Sequence, residues 1–189
     1  MTSSSQAFLW QHAPNPNKLR LLEQWISGTR IVDIGCGPGF YARHLHARGL
    51  EVIALDAENR LTEPPAFRFQ QTMVPPIPLP DQSADTALLF DVLEHVPDEQ
   101  GLLRELHRVI RHRLILSVPA EDDGVLPRYG LCLSHHVDKT HCREYSEASL
   151  RAALTRAGFR VVHLEPQYPV RLPLVAREFF RPHFLGKVA

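Results

Sequence analysis

The amino-acid sequence predicts one doubly wound α/β domain with a mostly parallel sheet. Short apolar runs alternate with segments whose apolar residues recur at helical spacing. Strands joined through helices form right-handed crossovers, so this alternation favours a parallel sheet with helices on both faces. A glycine-rich turn directly after the first apolar run is also typical of the ligand-binding edge of such a sheet.

Six strands and four helices account for most of the chain. The apolar runs that indicate strands lie at residues 30–34, 51–55, 67–70, 85–90, 114–118 and 159–164. The segments with helical spacing lie at residues 17–28, 40–48, 97–111 and 146–158. Glycines indicate helix C-termini at Gly28, Gly49 and Gly158, and Ser146 is a candidate N-cap.

The chain divides into an arm, a domain and a tail. A polar arm with two prolines is expected over residues 1–17, followed by a ligand-binding domain over residues 18–165. The tail, residues 166–189, completes or flanks the sheet. Its Pro169 and Pro173 disfavour a central strand, because proline cannot donate a ladder hydrogen bond.

Charge and cysteine content restrict the partners and the compartment. Basic and acidic residues number 21 each, so the formal net charge is zero and no overall field attracts nucleic acid. Three cysteines form no CxxC pair, and the N-terminus carries no secretory leader, which together predict a cytoplasmic protein. No apolar stretch approaches the roughly 18 residues that span a bilayer. We expect a monomer or a homodimer.

The glycine loop indicates a bound ligand. Gly35, Gly37 and Gly39 follow the first strand and precede a helix, where glycine lets a ligand approach the backbone closely. The dinucleotide fingerprint needs a glycine where Phe40 stands, and no GK[ST] ending exists for a P-loop. Asp56, at the end of the second strand, can accept hydrogen bonds from both ribose hydroxyls of an adenosine-containing cofactor. A ligand-free glycine turn and an ordinary strand-end acid remain the alternatives.

Three motifs in order carry a family resemblance. The segments VDIGCGPGF, VIALD and LPDQSADTALLFDVLEHVPD closely resemble the class I S-adenosylmethionine-dependent methyltransferases, especially those that act on small molecules. The later HCREYSEASLRAALTRAGFRVV is similar to the stretch that leads into the last helix and strand of that group. The resemblance covers roughly residues 19–164. It is specific for the cofactor and the Rossmann-like fold, and it does not specify the methyl acceptor.

The resemblance implies a set of cofactor contacts. The backbone of Gly35, Cys36, Gly37 and Gly39 is expected to lie against the methionine part of S-adenosylmethionine, with Cys36 simply filling the loop. The resemblance further implies that Asp33 contacts the amino group of the cofactor and that Asp56 contacts the ribose hydroxyls. It also implies that Thr72 or Met73 contacts the adenine and that Asp91 lies near the methionine end. The reaction releases S-adenosylhomocysteine. The neighbouring His95 is expected to have a structural role.

The sequence departs from the family in three places. The third strand lacks the acid or Gly-Asp that often contacts the adenine amino group and reads QQTMVPP instead. The turn before the fifth strand lacks the usual glycine pair and reads RHRLIL. The third departure is the proline-rich tail, where the family commonly places a seventh, antiparallel strand.

The connection over residues 119–145 is the expected acceptor side. His141 is the first candidate for a catalytic acid, base or orienting group, since histidine titrates near neutrality, and His136 is the second. A structural or gating role for these histidines is the alternative. Zinc bound by His135, His136, His141 and Cys142 is a further alternative, but their spacing matches no closed zinc pattern, so no metal site is expected.

Aromatic residues border this region, and other functions compete with methyl transfer. Phe8 and Trp10 in the arm form either a lid over the cofactor or a surface contact, and Trp10, Tyr41 and Tyr129 are candidates to border the acceptor pocket. The expected activity is methyl transfer to an unidentified small molecule. The alternatives are a non-catalytic cofactor-binding module for regulation or assembly, a nucleotide-dependent oxidoreductase, and a nucleic-acid methyltransferase.

Overall fold

The computed structural model describes residues 13–121 and 138–166. Within these residues the α-helices are α1 (Pro16–Trp25), α2 (Phe40–Ala47), α3 (Glu99–Val109) and α4 (Glu147–Arg156). Five strands lie at β1, Arg30–Ile34; β2, Glu51–Asp56; β3, Arg68–Gln71; β4, Ala84–Phe90; and β5, Ile110–Ser117. A short 3-10 helix, Leu93–His95, follows β4. No helix among the described residues has both the length and the apolar character needed to cross a bilayer.

The five strands form one parallel sheet in the order β3-β2-β1-β4-β5. The chain moves outward from β1 through β2 to β3, then returns to the other side of β1 with β4. The reversal of strand order therefore falls between β1 and β4, and both strands end at the same edge of the sheet. In open α/β sheets this switch point is the place where ligands bind. The predicted fold class is confirmed.

Helices cover both faces of the sheet. One core cluster joins α1 and α2 to the sheet through Leu22, Ala42 and Leu45. The other cluster joins α3 and α4 to the opposite face, with Leu106 and Leu154 among its members. Every residue of β4 is buried, as expected for a central strand that is covered on both sides.

The helix starts follow local capping chemistry. The Asn15 side chain accepts from the N–H groups of Asn17 and Lys18 and thereby starts α1. The predicted N-cap Ser146 is confirmed, because its hydroxyl accepts from the Ser149 N–H while the Ser149 side chain accepts from the Ser146 N–H. Such reciprocal bonds satisfy two backbone donors at once.

The boundary between α3 and β5 differs from the prediction. The helix predicted to run to Arg111 ends at Val109, and the strand predicted to begin at Leu114 begins at Ile110. Ile110 already has extended backbone angles and pairs with Ala84. The chain passes from helix to strand without an intervening turn, which explains why the usual glycine pair is missing there.

The predicted sixth strand, residues 159–164, is wrong as a strand. These residues join no ladder within the described part of the chain. Phe159, Val161 and Leu164 nevertheless pack against the core, whereas Val162 is exposed. The apolar residues of this segment therefore predict burial correctly for most positions. A strand also needs a hydrogen-bonded neighbour, which the sequence of one segment cannot predict. The arm to residue 12, residues 122–137 and the tail from residue 167 lie outside the described residues.

Candidate functional site

The glycine loop is fastened to the end of β2. The N–H groups of Gly35 and Cys36 donate to the Leu55 carbonyl at 2.8 and 3.2 Å, and the Gly37 N–H donates to Asp56 Oδ2 at 2.8 Å. The Gly39 N–H closes the turn on the Cys36 carbonyl at 2.9 Å and leads into α2. These bonds place the loop and the Asp56 carboxylate side by side at the carboxyl ends of the strands.

Asp56 keeps acceptor capacity for a ligand. Its second oxygen, Oδ1, accepts from the Glu58 N–H at 3.0 Å. A carboxylate offers about four lone-pair positions, and the two backbone bonds use only part of them. The carboxylate is therefore oriented by the backbone and can still accept hydroxyl donors.

Two of the glycines are required for different physical reasons. Gly35 has φ 69°, and a Cβ there would lie 2.3 Å from Val92 Cγ2, so only glycine lets the two segments approach this closely. Gly37 has φ 51°, and a Cβ there would meet nothing within 4 Å among the described residues. Open space therefore lies against the Gly37 backbone, as a ligand cradle requires.

Asp33, on β1 directly before the glycine loop, is a buried acid with one unpaired oxygen. Its side chain is 2% exposed, and Oδ2 has no hydrogen-bond partner among the described residues. Burial, and secondarily the nearby Asp56 carboxylate, raise the pKa of Asp33 to about 7. A buried carboxylate oxygen without a partner is costly, and a cationic ligand group such as an ammonium would relieve that cost. Together with the open space at Gly37, this acid fits the amino-acid end of S-adenosylmethionine.

Asp91 directly follows β4 and forms an ion pair with Lys18, a residue for which the sequence predicts no function. The Lys18 amine forms an ion pair with Asp91 Oδ2, and the Ser117 hydroxyl donates to Asp91 Oδ1 at 2.7 Å. Asp91 has φ 54°, in the left-handed region. Lys18 is one of several polar residues on α1 and has no local signal of function, because only the fold brings residues 73 positions apart together.

The remaining predicted cofactor residues lie around this edge. The Thr72 N–H donates to the Asp56 carbonyl at 2.7 Å, which places the residues after β3 beside the end of β2. The neighbouring Met73 is 74% exposed, so its side chain faces solvent. Cys36 is buried, and burial raises the pKa of its thiol well above the usual range, which disfavours a nucleophilic role.

The predicted catalytic residue His141 lies in a polar cluster. Its ring contacts His95 edge to face with centroids 4.7 Å apart, and its Nε2 lies 3.8 Å from Asp138 Oδ2. Buried Glu94 is beside both histidines. From the sequence, Glu94 is expected only to start the segment after the fourth strand, because nothing local indicates that residues 138–141 fold back onto it. The other predicted catalytic residue, His136, lies outside the described residues, as do His135, Tyr129, Phe8 and Trp10.

Arg143 fixes the cluster to the turn after β4. Its guanidinium donates to the carbonyls of Leu93, Val96 and Pro97 at 2.9, 2.6 and 2.8 Å. The Cys142 N–H adds a bond of 2.7 Å to the Glu94 carbonyl. The arginine of the REY sequence therefore anchors one segment to another through its planar set of donors.

Tyr41, on α2, packs against the last residue of β4. Its ring packs on the edge of Phe90 with centroids 4.9 Å apart, and its hydroxyl accepts from the Asn15 N–H at 3.0 Å. The expectation that Tyr41 borders the acceptor pocket stays a prediction.

Comparison with known proteins indicates one domain family. Residues 9–164 match the family described as a methyltransferase domain. An uncharacterized methyltransferase from Mycobacterium sp. strain KMS is 33% identical over 115 residues, which is 58% of this chain and 42% of that protein. A probable S-adenosylmethionine-dependent methyltransferase from Mycobacterium tuberculosis strain H37Rv is 28% identical over 143 residues, or 68% of this chain and 48% of that protein. The chain thus spans about half the length of these curated relatives.

A solved structure supports the fold independently. The crystal structure of an S-adenosylmethionine-dependent methyltransferase from Mesorhizobium loti superposes with a TM-score of 0.64 at 23% identity. The match covers 88% of this chain and 89% of that chain. The predicted class I methyltransferase fold is confirmed, and so is S-adenosylmethionine as the cofactor that the family uses.

Proposed function

Because the chain belongs to the methyltransferase domain family, we propose that it transfers a methyl group from S-adenosylmethionine to a small-molecule acceptor and releases S-adenosylhomocysteine. The observation that carries the proposal is the glycine loop bonded to Asp56, together with buried Asp33, whose Oδ2 has no partner among the described residues. When bound, S-adenosylmethionine supplies a methyl group already activated on a sulfonium sulfur. The protein then mainly has to orient the acceptor and exclude water.

Each part of the cofactor has a counterpart in the described residues. Asp33 would hold the ammonium group, and the loop backbone of Gly35, Cys36, Gly37 and Gly39 would lie along the methionine part. Asp56 would accept the ribose hydroxyls with its remaining lone pairs. The adenine would lie against Thr72 and Met73, where the exposed methionine side chain offers an apolar surface. Asp91 would border the methionine end.

A small acceptor is supported by charge. The edge beyond Asp91 carries two further acids, Glu94 and Asp138, and Lys18 is already paired with Asp91. The whole chain has a formal net charge of zero, so no overall field favours a phosphate-rich substrate. His141 lies on this side and is our candidate for acting on the acceptor. Cys36 and Cys142 form no disulfide with each other, which agrees with the reducing cytoplasm that we propose as the location.

Calorimetry followed by a turnover assay tests the proposal. Titration of the full chain with S-adenosylhomocysteine should show one binding site, and NAD should show none. Isotopically labelled S-adenosylmethionine should then transfer its label to members of a small-molecule library. Failure to bind S-adenosylhomocysteine would overturn the proposal. Binding without transfer to any acceptor class would instead favour a non-catalytic cofactor-binding module.

A further inference from the structure

Two segments meet beyond the end of β4 and bring three potential metal ligands together. Glu94 and His95 belong to the 3-10 turn, Leu93–His95, and His141 comes from the segment that returns at residue 138. One ligand atom from each of Glu94, His95 and His141 lies within 4.8 Å of the others. We call these three residues the Glu94 cluster. Two imidazoles and one carboxylate form a donor set suited to zinc and other divalent transition metals.

The Glu94 carboxylate provides an independent indication of a ligand. Its side chain is 1% exposed, and neither Oε1 nor Oε2 has a hydrogen-bond partner among the described residues. A buried carboxylate normally has charged or hydrogen-bonding partners, since an unpaired one carries a large desolvation cost. Glu94 is therefore oriented into the cluster with both of its acceptor oxygens available.

The residues around the cluster orient its histidines. The Thr140 hydroxyl donates to Asp138 Oδ1 at 2.6 Å, so its oxygen is left to accept from His95 Nδ1 at 2.9 Å. Donation from Nδ1 leaves the lone pair of neutral His95 on Nε2, the form in which a histidine binds a metal. Asp138 Oδ2 faces His141 Nε2 at 3.8 Å. Carboxylate and hydroxyl partners of this kind are typical of the outer shell of metal sites.

We infer that Glu94, His95 and His141 bind a divalent transition-metal cation, with zinc as the closest match to the donor set. This site differs from the zinc site considered from the sequence, which consisted of His135, His136, His141 and Cys142. The two sites have His141 in common. Three protein ligands leave at least one coordination position open, as in catalytic rather than structural zinc sites. In the metal-bound form His141 is a ligand, and only in the metal-free form is it available to act directly on the acceptor.

Zinc titration of the metal-free full chain tests the inference. Calorimetry should show one zinc site, and Glu94→Gln and His95→Asn should each weaken it by about 10-fold or more. His112→Asn removes an exposed histidine on β5, and Cys142→Ala removes the thiol next to His141, so both should leave the affinity unchanged. Zinc should also raise the melting temperature of the wild type and of both controls, because ligands that bind only the folded state stabilise it.

A measurement on the wild type keeps the test independent of variant folding. Cobalt(II) bound to the chain should give visible d–d bands without a thiolate charge-transfer band in the near ultraviolet. A thiolate band, unchanged zinc affinity in folded Glu94→Gln, or no zinc binding up to about 1 mM would each overturn the inference. Because S-adenosylhomocysteine binding is measured separately, failure here leaves the proposed methyl transfer intact.

Discussion

The Gly37 N–H donates a hydrogen bond of 2.8 Å to the Asp56 carboxylate, 19 residues later in the chain. This bond joins the two sequence motifs that would hold the methionine part and the ribose of the cofactor. It also means that Asp56 has a structural task before any ligand arrives, because the Gly37 backbone donor depends on it. Loss of the carboxylate should therefore be felt in both cofactor affinity and stability.

Asp56→Ala should weaken S-adenosylhomocysteine binding by about 10-fold or more and reduce the free energy of unfolding by about 1–3 kcal/mol. The physical cause is the loss of the ribose acceptor together with the partner of the Gly37 N–H. Calorimetry and urea denaturation measure the two effects. Glu58→Ala is the matched control, since among the described residues its exposed side chain pairs with Arg60 alone, and its backbone bond to Asp56 is retained. Equal affinities for Asp56→Ala and wild type would contradict the ribose assignment.

Asp33 should make the ligand-free protein less stable as the pH rises. Its pKa is raised from 3.8 to about 7 in the folded state, so the fold favours the protonated acid. The stability that this preference provides is fully present below about pH 4 and is lost as the pH rises through about 7. Asp33→Asn cannot ionise, and its stability relative to wild type should therefore increase between pH 4 and pH 8, by on the order of 4 kcal/mol at most.

Urea denaturation at several pH values, without ligand, measures this difference. The change with pH isolates ionisation from any packing effect of the amide, which is the same at every pH. Asp33→Asn should at the same time bind S-adenosylhomocysteine more weakly at pH 8, because it lacks the charge that would pair with the ammonium. A stability difference independent of pH would show that Asp33 is not a buried ionising acid.

Gly35→Ala should destabilise the protein more than Gly49→Ala does. Both glycines have positive φ, 69° and 82°, so alanine is strained at either position by about 1–2 kcal/mol. Only Gly35 adds a contact, since its Cβ would lie 2.3 Å from Val92 Cγ2, and overpacking of this kind costs about 1–3 kcal/mol more. Thermal and urea unfolding of the two variants give the comparison.

A double-mutant cycle identifies the cause of that additional loss. Val92→Ala in the Gly35→Ala background should recover part of the lost stability, whereas Val92→Ala alone should destabilise. Additive effects of the two substitutions would show that the clash with Val92 is not the cause.

Arg143→Lys should cost about 1–3 kcal/mol of stability. Lysine keeps the charge, but its ammonium cannot donate simultaneously to the carbonyls of Leu93, Val96 and Pro97 as the guanidinium does. Arg151→Lys is the matched control, because the pair that Arg151 forms within the described part of the chain is an exposed one with Glu147, and its effect should stay within about 0.5 kcal/mol. Similar losses from both substitutions would argue against an anchoring role for Arg143.

The sequence predicts the sheet well where burial decides the structure. Strand β1 was predicted with its observed bounds because every residue after Arg30 is buried between two helical layers. The start of β5 was missed because Val109 and Ile110 are both apolar, so neither helical nor strand spacing distinguishes the last residue of one from the first residue of the next. The strand over residues 159–164 failed for a different reason, since pairing depends on a neighbour and not on the segment's own pattern.

In the candidate site, contacts between consecutive segments were predicted, whereas contacts between distant segments were not. The glycine loop and Asp56 follow consecutive strands, so local order along the chain was enough to bring them together. Lys18 beside Asp91, and His141 beside Glu94, depend on contacts between distant segments. Neither pairing leaves a pattern in the sequence, and the Glu94 cluster could be recognised only when the fold joined residues 94 and 141.

Val92 and Glu94 belong to one short turn, and the turn touches both sites. Val92 packs against the Gly35 backbone, while Glu94 and His95 lie in the cluster and Arg143 holds the turn from outside. A shift of the turn on cofactor binding would thus be transmitted directly to the cluster. If bound S-adenosylhomocysteine changes the affinity for zinc by a given factor, bound zinc must change the affinity for S-adenosylhomocysteine by the same factor.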